Sequence, residues 1–186
     1  MIVRASEQVY TPRVVGEMLC AHARLDVPGL SILEPHIGHG HLASVIREQM
    51  TPDSRLYGYD TDPEAVAAAR AAGFDARVCD FLTTPHWLDY DRIIASPPFT
   101  DGIDEQHVRH MYWCLKKGGR LVSTMHAGRA RTPGTPAAFL LHQMRAEVYD
   151  LPPRSFVEGG SSVDAVVVVI DAGNMRRSRR ELSGEM

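Results

Sequence analysis

Apolar runs and helical periodicities alternate along the 186-residue chain, the pattern of a parallel sheet whose strands are joined by crossover helices. Thr11 as N-cap and Pro12 at the first helical position predict an amphipathic helix reaching about Arg24. Ser31 to Glu34 reads as a buried strand, followed by a Gly-rich turn and a helix of about ten residues from His41. Arg55 to Asp60 is a second strand; Pro63 then opens an Ala-rich helix from Glu64 to Ala72 that Gly73 ends. Phe74 to Cys79 and Arg92 to Ser96 are the third and fourth strands. A helix is predicted over Asp104 to Lys117, stopped by Gly118 and Gly119, before a fifth strand from Arg120 to Met125. Pro136 to Arg145 reads as helix, Glu147 to Leu151 as strand, and Asp164 to Asp171 as the final strand. The run Ala165 to Ile170 is apolar at every position, so this strand is covered on both faces and lies inside the sheet. The expected fold class is α/β, a three-layer doubly wound sheet of seven strands, mostly parallel.

Composition narrows the class. A chain of 20.6 kDa predicts one domain over residues 1–175, with the basic segment 176–186 as a flexible tail. No apolar run approaches the roughly 18 residues of a membrane span, and Met1 to Glu7 lacks the apolar core of a leader. Cys20, Cys79 and Cys114 are odd in number and far apart, which speaks against a disulfide framework or zinc ribbon and for a cytoplasmic location. The net charge of -3 hides a split: -7 through Cys114 and +4 from Leu115 onward. Arginine dominates the basic residues, which fits either a GC-rich genome or contact with a polyanion.

Chemistry concentrates where strands end. Ligands of such sheets sit at the carboxyl ends of the strands, against a helix N-terminus. In Glu34-Pro35-His36-Ile37-Gly38-His39-Gly40-His41, Gly38 and Gly40 allow a tight turn and close backbone approach. The third glycine of a dinucleotide fingerprint is replaced by Ala43. The second strand ends in Asp60 and Thr61, where a carboxylate can accept both hydroxyls of a ribose. The third ends at Asp80 and Phe81, an acceptor for an adenine amino group beside an aromatic ring. Glu34, Asp60 and Asp80 thus describe an adenosine pocket without a phosphate requirement, or else three caps of the following helices. His36, His39 and His41 alternate with glycines in one turn, so their rings diverge and no metal site is expected. His36 remains a candidate for the pocket wall.

The fourth strand ends in Ser96-Pro97-Pro98-Phe99. In this order, E-P-x-x-G-x-G, Y-D-x-D, C-D-F and S-P-P-F resemble the class I S-adenosylmethionine-dependent methyltransferases that act on exocyclic amino groups. Tyr10-Thr11-Pro12 and Leu115-Lys116-Lys117-Gly118-Gly119-Arg120-Leu121-Val122 are similar to further segments of that family, and the resemblance runs over residues 10–171. It is nearest to compact phage and bacterial DNA methyltransferases of the adenine type, which carry N-P-P-F. The resemblance implies a Rossmann-like methyltransferase fold with the last strand inserted antiparallel. It implies S-adenosyl-L-methionine as cofactor, held by Thr11, Glu34, His36, Gly38, Gly40, Asp60, Thr61, Asp80 and Phe81. Ser96, Pro97, Pro98 and Phe99 would hold the target.

That turn has a chemical logic of its own. The lone pair of an adenine or cytosine amino group is delocalised into the ring and is a weak nucleophile. Accepting hydrogen bonds from its N–H groups, through the Ser96 side chain and the Pro97 carbonyl, frees it for attack. Pro98 restricts Pro97 to extended angles and so fixes that carbonyl, while Phe99 offers a face to an extruded base. Ser96 stands where the nearest relatives carry Asn or Asp. It leaves open adenine with weaker catalysis, cytosine, a cofactor-binding subunit without turnover of its own, or another amino substrate such as glutamine, RNA or a small molecule.

Substrate contacts are expected in the second half. His126 ends the fifth strand, and Arg129 and Arg131 lie in a basic loop that either meets phosphates or is simply exposed. Arg154 and Phe156 belong to the link before the last strand. Few residues follow that strand, so a nucleic-acid substrate, DNA first, requires low specificity, a homodimer, a specificity partner or single strands.

Overall fold

The computed structural model describes residues 10–85 and 89–173. Its strands are β1 (Ser31–Glu34), β2 (Arg55–Asp60), β3 (Asp75–Val78), β4 (Tyr90–Ala95), β5 (Leu115–His126), β6 (Glu147–Asp150) and β7 (Ala165–Asp171). Its α-helices are α1 (Arg13–Ala23), α2 (His41–Gln49), α3 (Pro63–Ala71), α4 (Ile103–Trp113), α5 (Ala127–Arg131) and α6 (Pro136–Gln143). The strands form one seven-stranded sheet in the order β3-β2-β1-β4-β5-β7-β6. β1 to β5 run parallel; β7 is antiparallel to both of its neighbours, β5 and β6. The all-apolar final strand is therefore an inner strand, as its pattern required.

Strand alternation builds two cores. Ile32, Ile94, Val122 and Val167 face α1, α2 and α3, meeting Leu19, Leu42 and Ile46. Leu33, Ile93, Leu121 and Val168 face α4 and α6, meeting Val108, Met111 and Leu140. Each such buried aliphatic side chain contributes about 1.5–3 kcal/mol. At the bottom of the sheet, two buried arginines satisfy the end of α1. Arg92 Nε donates to the Ala23 carbonyl at 2.7 Å and Arg120 Nη1 to the His22 carbonyl at 2.9 Å.

Three local expectations need correction. Helix α1 starts at Arg13 with Pro12 in the cap position and no side-chain cap, so Thr11 is not its N-cap. Helix α4 stops at Trp113 instead of Lys117, because Cys114 closes it and Leu115 already pairs with Tyr90. Gly118 and Gly119 lie within β5, exchanging backbone bonds with Ala172. The segment expected as a basic loop contains α5, capped by the His126 ring accepting from the Arg129 amide. The expected tail 176–186 and the leader reading of Met1 to Glu7 lie outside the described residues. Among the described residues no helix is long and apolar enough to cross a membrane.

The site follows from the strand order. After β1 the chain passes to α2 on one face; after neighbouring β4 it passes to α4 on the other. A crevice opens between the two departures, at the carboxyl ends of the strands.

Candidate active site

A cavity of about 1160 Å³ occupies that crevice. Its floor is the turn after β1. The Ile37 amide donates to the Tyr59 carbonyl at 2.8 Å, and the Gly38 amide to Asp60 Oδ2 at 2.8 Å. Asp60 Oδ1 accepts the Asp62 amide at 3.0 Å, so this carboxylate organises two turns while still lining the cavity. Gly38 has φ +50°, and a Cβ there would meet nothing within 4 Å, which leaves open space above the turn. Gly40, at φ +91°, does not line the cavity; its missing side chain makes room for Phe74, which a Cβ would meet at 2.8 Å.

Two polar groups, Glu34 buried and His36 half-buried, face this cavity from the end of β1. Glu34 is 2% exposed, and Oε2 has no hydrogen-bond partner among the described residues. Burial, with the Asp60 charge behind it, holds its carboxyl well above the usual range. His36 Nε2 shares a hydrogen with His107 Nδ1 at 2.9 Å. Burial and the neighbouring His107 hold the His36 imidazole well below its ordinary value. Burial also lowers His107 to about 4, against the opposing pull of Asp80. The pair is neutral at physiological pH. His36 turns away to His107, whereas His41 stacks on Tyr10 at 4.7 Å and keeps the His39 ring beside it at 6.3 Å.

Asp80 accepts the Leu82 amide at 3.0 Å as a cap and also borders the cavity. Phe81 lines the cavity as a buried wall, not as a free cover. Its ring is 1% exposed and packs edge-on to His110 at 4.6 Å and parallel to His107 at 6.2 Å. Thr11 and Thr61 reach the same space.

All four residues of the turn after β4 line the opposite wall. Thr124 donates to Ser96 Oγ at 3.1 Å. Phe99 meets the Phe156 ring edge-on at 5.4 Å, and its carbonyl accepts Arg129 Nη2 at 2.6 Å. Above them two distant segments meet: the Tyr10 amide donates to the Gly159 carbonyl at 3.1 Å, with Ser161 and Val163 also lining the cavity.

The expected substrate contacts fare differently. Phe156 borders the cavity but is 1% exposed, a packing partner for Phe99. His126, Arg129, Arg131 and Arg154 do not line it. His126 caps α5, Arg129 pairs with buried Asp104 at 2.8 Å, and Arg131 pairs with exposed Asp150. Arg154 is exposed in a turn at φ +64°. Lys116 and Arg120 are paired too, with Asp91 and Asp171. Four of the seven basic residues described from Leu115 onward are thus paired with acids of the fold. His107, Thr100 and Ile103 join the wall from the α4 side. An acid-and-histidine pattern opening a helix after S-P-P-F was the available signal for His107; Ser161 and Val163 had none.

No protein-family model matches the chain. It is 26% identical over 148 residues to a tRNA (guanine(6)-N2)-methyltransferase of Thermus thermophilus, covering 70% of this chain and 44% of that one. Among solved structures, a Listeria monocytogenes chain grouped with the class I S-adenosylmethionine-dependent methyltransferases matches with a TM-score of 0.72. The identity there is 14%, covering 94% of this chain and 64% of the other. The methyltransferase subunit of a type I restriction-modification system from Streptococcus thermophilus matches with a TM-score of 0.72 and 17% identity, covering 88% of this chain and 44% of that chain. The chain thus spans less than two thirds of each relative's length. Strand order, the antiparallel final strand and these likenesses agree: the chain has the fold of the class I S-adenosylmethionine-dependent methyltransferases.

Proposed function

We propose that the chain transfers a methyl group from S-adenosyl-L-methionine to an exocyclic amino group of a nucleobase, with N(6) of adenine in DNA as its target. The carrying observation is one cavity that joins three strand-end acids to the Ser96–Phe99 turn across the switch point of the sheet. The methyltransferases among its relatives and structural neighbours support the cofactor.

The residues present fit that cofactor. Glu34 Oε2 is a buried acceptor without a partner among the described residues, suited to a cationic or hydroxyl-bearing ligand, and Gly38 leaves the turn open above it. Glu34, Asp60 and Asp80 would hold it, with Thr11, His36, Thr61 and Phe81 shaping the walls. When bound, it supplies an electrophilic methyl group on a positively charged sulfur. The chain supplies the acceptors on the other side. Thr124 donates to Ser96 Oγ and so occupies one of its two lone pairs, leaving the second for an amino hydrogen of the target. The Pro97 carbonyl, held in direction by Pro98, accepts the other. Drawing both hydrogens away pulls the nitrogen toward tetrahedral geometry and exposes its lone pair. Phe99, steadied by Phe156, provides the stacking face.

A second target, N2 of guanine in RNA, is favoured by the likeness to the tRNA methyltransferase. In either case a homodimer or a specificity partner supplies most of the nucleic-acid surface, because the arginines expected to meet phosphate are paired internally. The test incubates the protein with S-adenosylmethionine and, separately, mixed genomic DNA and total tRNA, followed by nucleoside mass spectrometry. N(6)-methyladenine in DNA is the expected product. Methylguanine confined to tRNA would move the assignment to the second reading. Cofactor binding without any methylated nucleoside would overturn both.

A further inference from the structure

Asp104 and Arg129 form an ion pair next to the cavity without lining it. Asp104 lies in the first turn of α4 and its side chain is wholly buried, while the Arg129 side chain is 27% exposed. Burying such a pair is costly unless its geometry and remaining hydrogen bonds are good. Here they are. Asp104 Oδ1 accepts Arg129 Nη2 at 2.8 Å, and Oδ2 accepts the His126 amide at 2.9 Å, where β5 ends. The same Nη2 donates to the carbonyl of Phe99 at 2.6 Å. One guanidinium nitrogen therefore links the end of β5 and the start of α4 to the last residue of the Ser96–Phe99 turn.

The location matters because the Phe99 ring packs against Phe156, whereas the two residues that follow it are exposed. After Phe99 the backbone passes through a short 3-10 turn at Thr100–Gly102 in which Asp101 adopts φ +52°. Asp101 is exposed and Thr100 is exposed, so the exit is not anchored by burial. A charge-assisted hydrogen bond to the Phe99 carbonyl fixes the peptide plane that carries the ring.

We propose that Arg129, oriented by Asp104, is a positioning residue that sets the Phe99 peptide and ring for the target base. The proposal rests on the target-binding role given to that turn under the proposed function. Since a single nitrogen makes both contacts, a lysine ammonium with its three donors can replace it, whereas methionine cannot.

The test compares Arg129→Met and Arg129→Lys in the full chain by hydrogen exchange of the Phe99 to Ile103 amides, by S-adenosylmethionine affinity, and by kcat. Arg129→Met is expected to speed exchange in that segment and lower kcat by about 10- to 100-fold, with cofactor Kd changed by less than about twofold. Arg129→Lys is expected to restore slow exchange and most of kcat. If leaving Asp104 charged and unpaired prevents Arg129→Met from folding, Asp104→Asn/Arg129→Met removes that charge and carries the same expectation. Wild-type exchange in the methionine variants, or loss of cofactor affinity in step with kcat, would overturn the proposal. If the wild-type chain methylates nothing, the functional reading falls, and the exchange measurement still decides whether Arg129 holds the turn.

Discussion

The Gly38 amide donates to Asp60 Oδ2 at 2.8 Å, so the acid expected to meet a ribose also holds the floor of the cavity in shape. Its other oxygen accepts from Asp62. A structural use and the proposed ligand-binding use are compatible because a carboxylate offers about four acceptor sites. Asp60→Ala is therefore expected to lower both S-adenosylmethionine affinity and Tm, the latter by roughly 5 °C for the loss of hydrogen bonds to a charged acceptor. Calorimetric titration and thermal unfolding check this. An unchanged Tm with lost binding would leave Asp60 a ligand contact only.

Phe99→Ala removes a stacking face worth about 1–3 kcal/mol, so turnover should fall about 10- to 100-fold. Cofactor affinity should stay close to wild type, since the proposed function puts Phe99 on the target side. Ser96→Asn, which lengthens the acceptor, is expected to raise turnover on adenine. Single-turnover kinetics with direct cofactor titration separate the two effects.

Stability should fall as the medium is acidified. Burial holds His107 near about 4 and His36 well below its ordinary value, whereas both titrate near about 6.5 in the unfolded chain. Between those values each of these histidines binds more protons in the unfolded state than in the folded one. Their joint contribution to unfolding free energy therefore decreases as pH drops through that window, against a smaller opposing contribution from the raised carboxyl of Glu34. Urea denaturation at several pH values measures the slope, and His107→Asn should flatten it.

Glu34 predicts the same sign for ligand binding by a different route. Its carboxyl is held well above the usual range by burial and by Asp60, so the empty cavity favours the protonated form. A cationic ligand favours the carboxylate, hence binding releases a proton and affinity rises with pH until Glu34 is ionised in the free protein. Glu34→Gln should remove that pH dependence. Titration in buffers of different ionisation enthalpy detects the proton.

A Cβ at Gly159 would stand 2.1 Å from the Tyr10 carbonyl oxygen, a backbone atom that cannot swing aside. Gly159→Ala is expected to part the two segments that meet over the cavity and to weaken cofactor binding. Limited proteolysis should then cut near Tyr10 sooner than in the wild type. Equal protection would show that the contact is dispensable.

Much of the fold was legible because it depends on local patterns. Six consecutive apolar positions from Ala165 required a strand covered on both faces, and β7 lies between β5 and β6. Strand ends at Glu34 and Asp60 could be read directly, and that of the fourth strand to within one residue, Ser96 expected against Ala95 observed, and with them the residues that approach one cavity. Where a local signal had two uses, the reading slipped. Gly118 and Gly119 look like a helix stop but sit within β5, because Ala172, far along the chain, supplies their backbone partners.

The arginines mark the boundary between the two kinds of information. Their number and position are properties of the sequence, and from them a phosphate-binding loop was a fair expectation. Which acid neutralises each one depends on contacts between residues such as Arg129 and Asp104, 25 positions apart, or Arg120 and Asp171, 51 apart. The sequence alone determined the alternation of strands and helices, and so the crevice and the residues around it. Only the tertiary structure decided the partners. Ion pairs and caps form where folding brings groups within about 3 Å, and no periodicity along the chain encodes that distance.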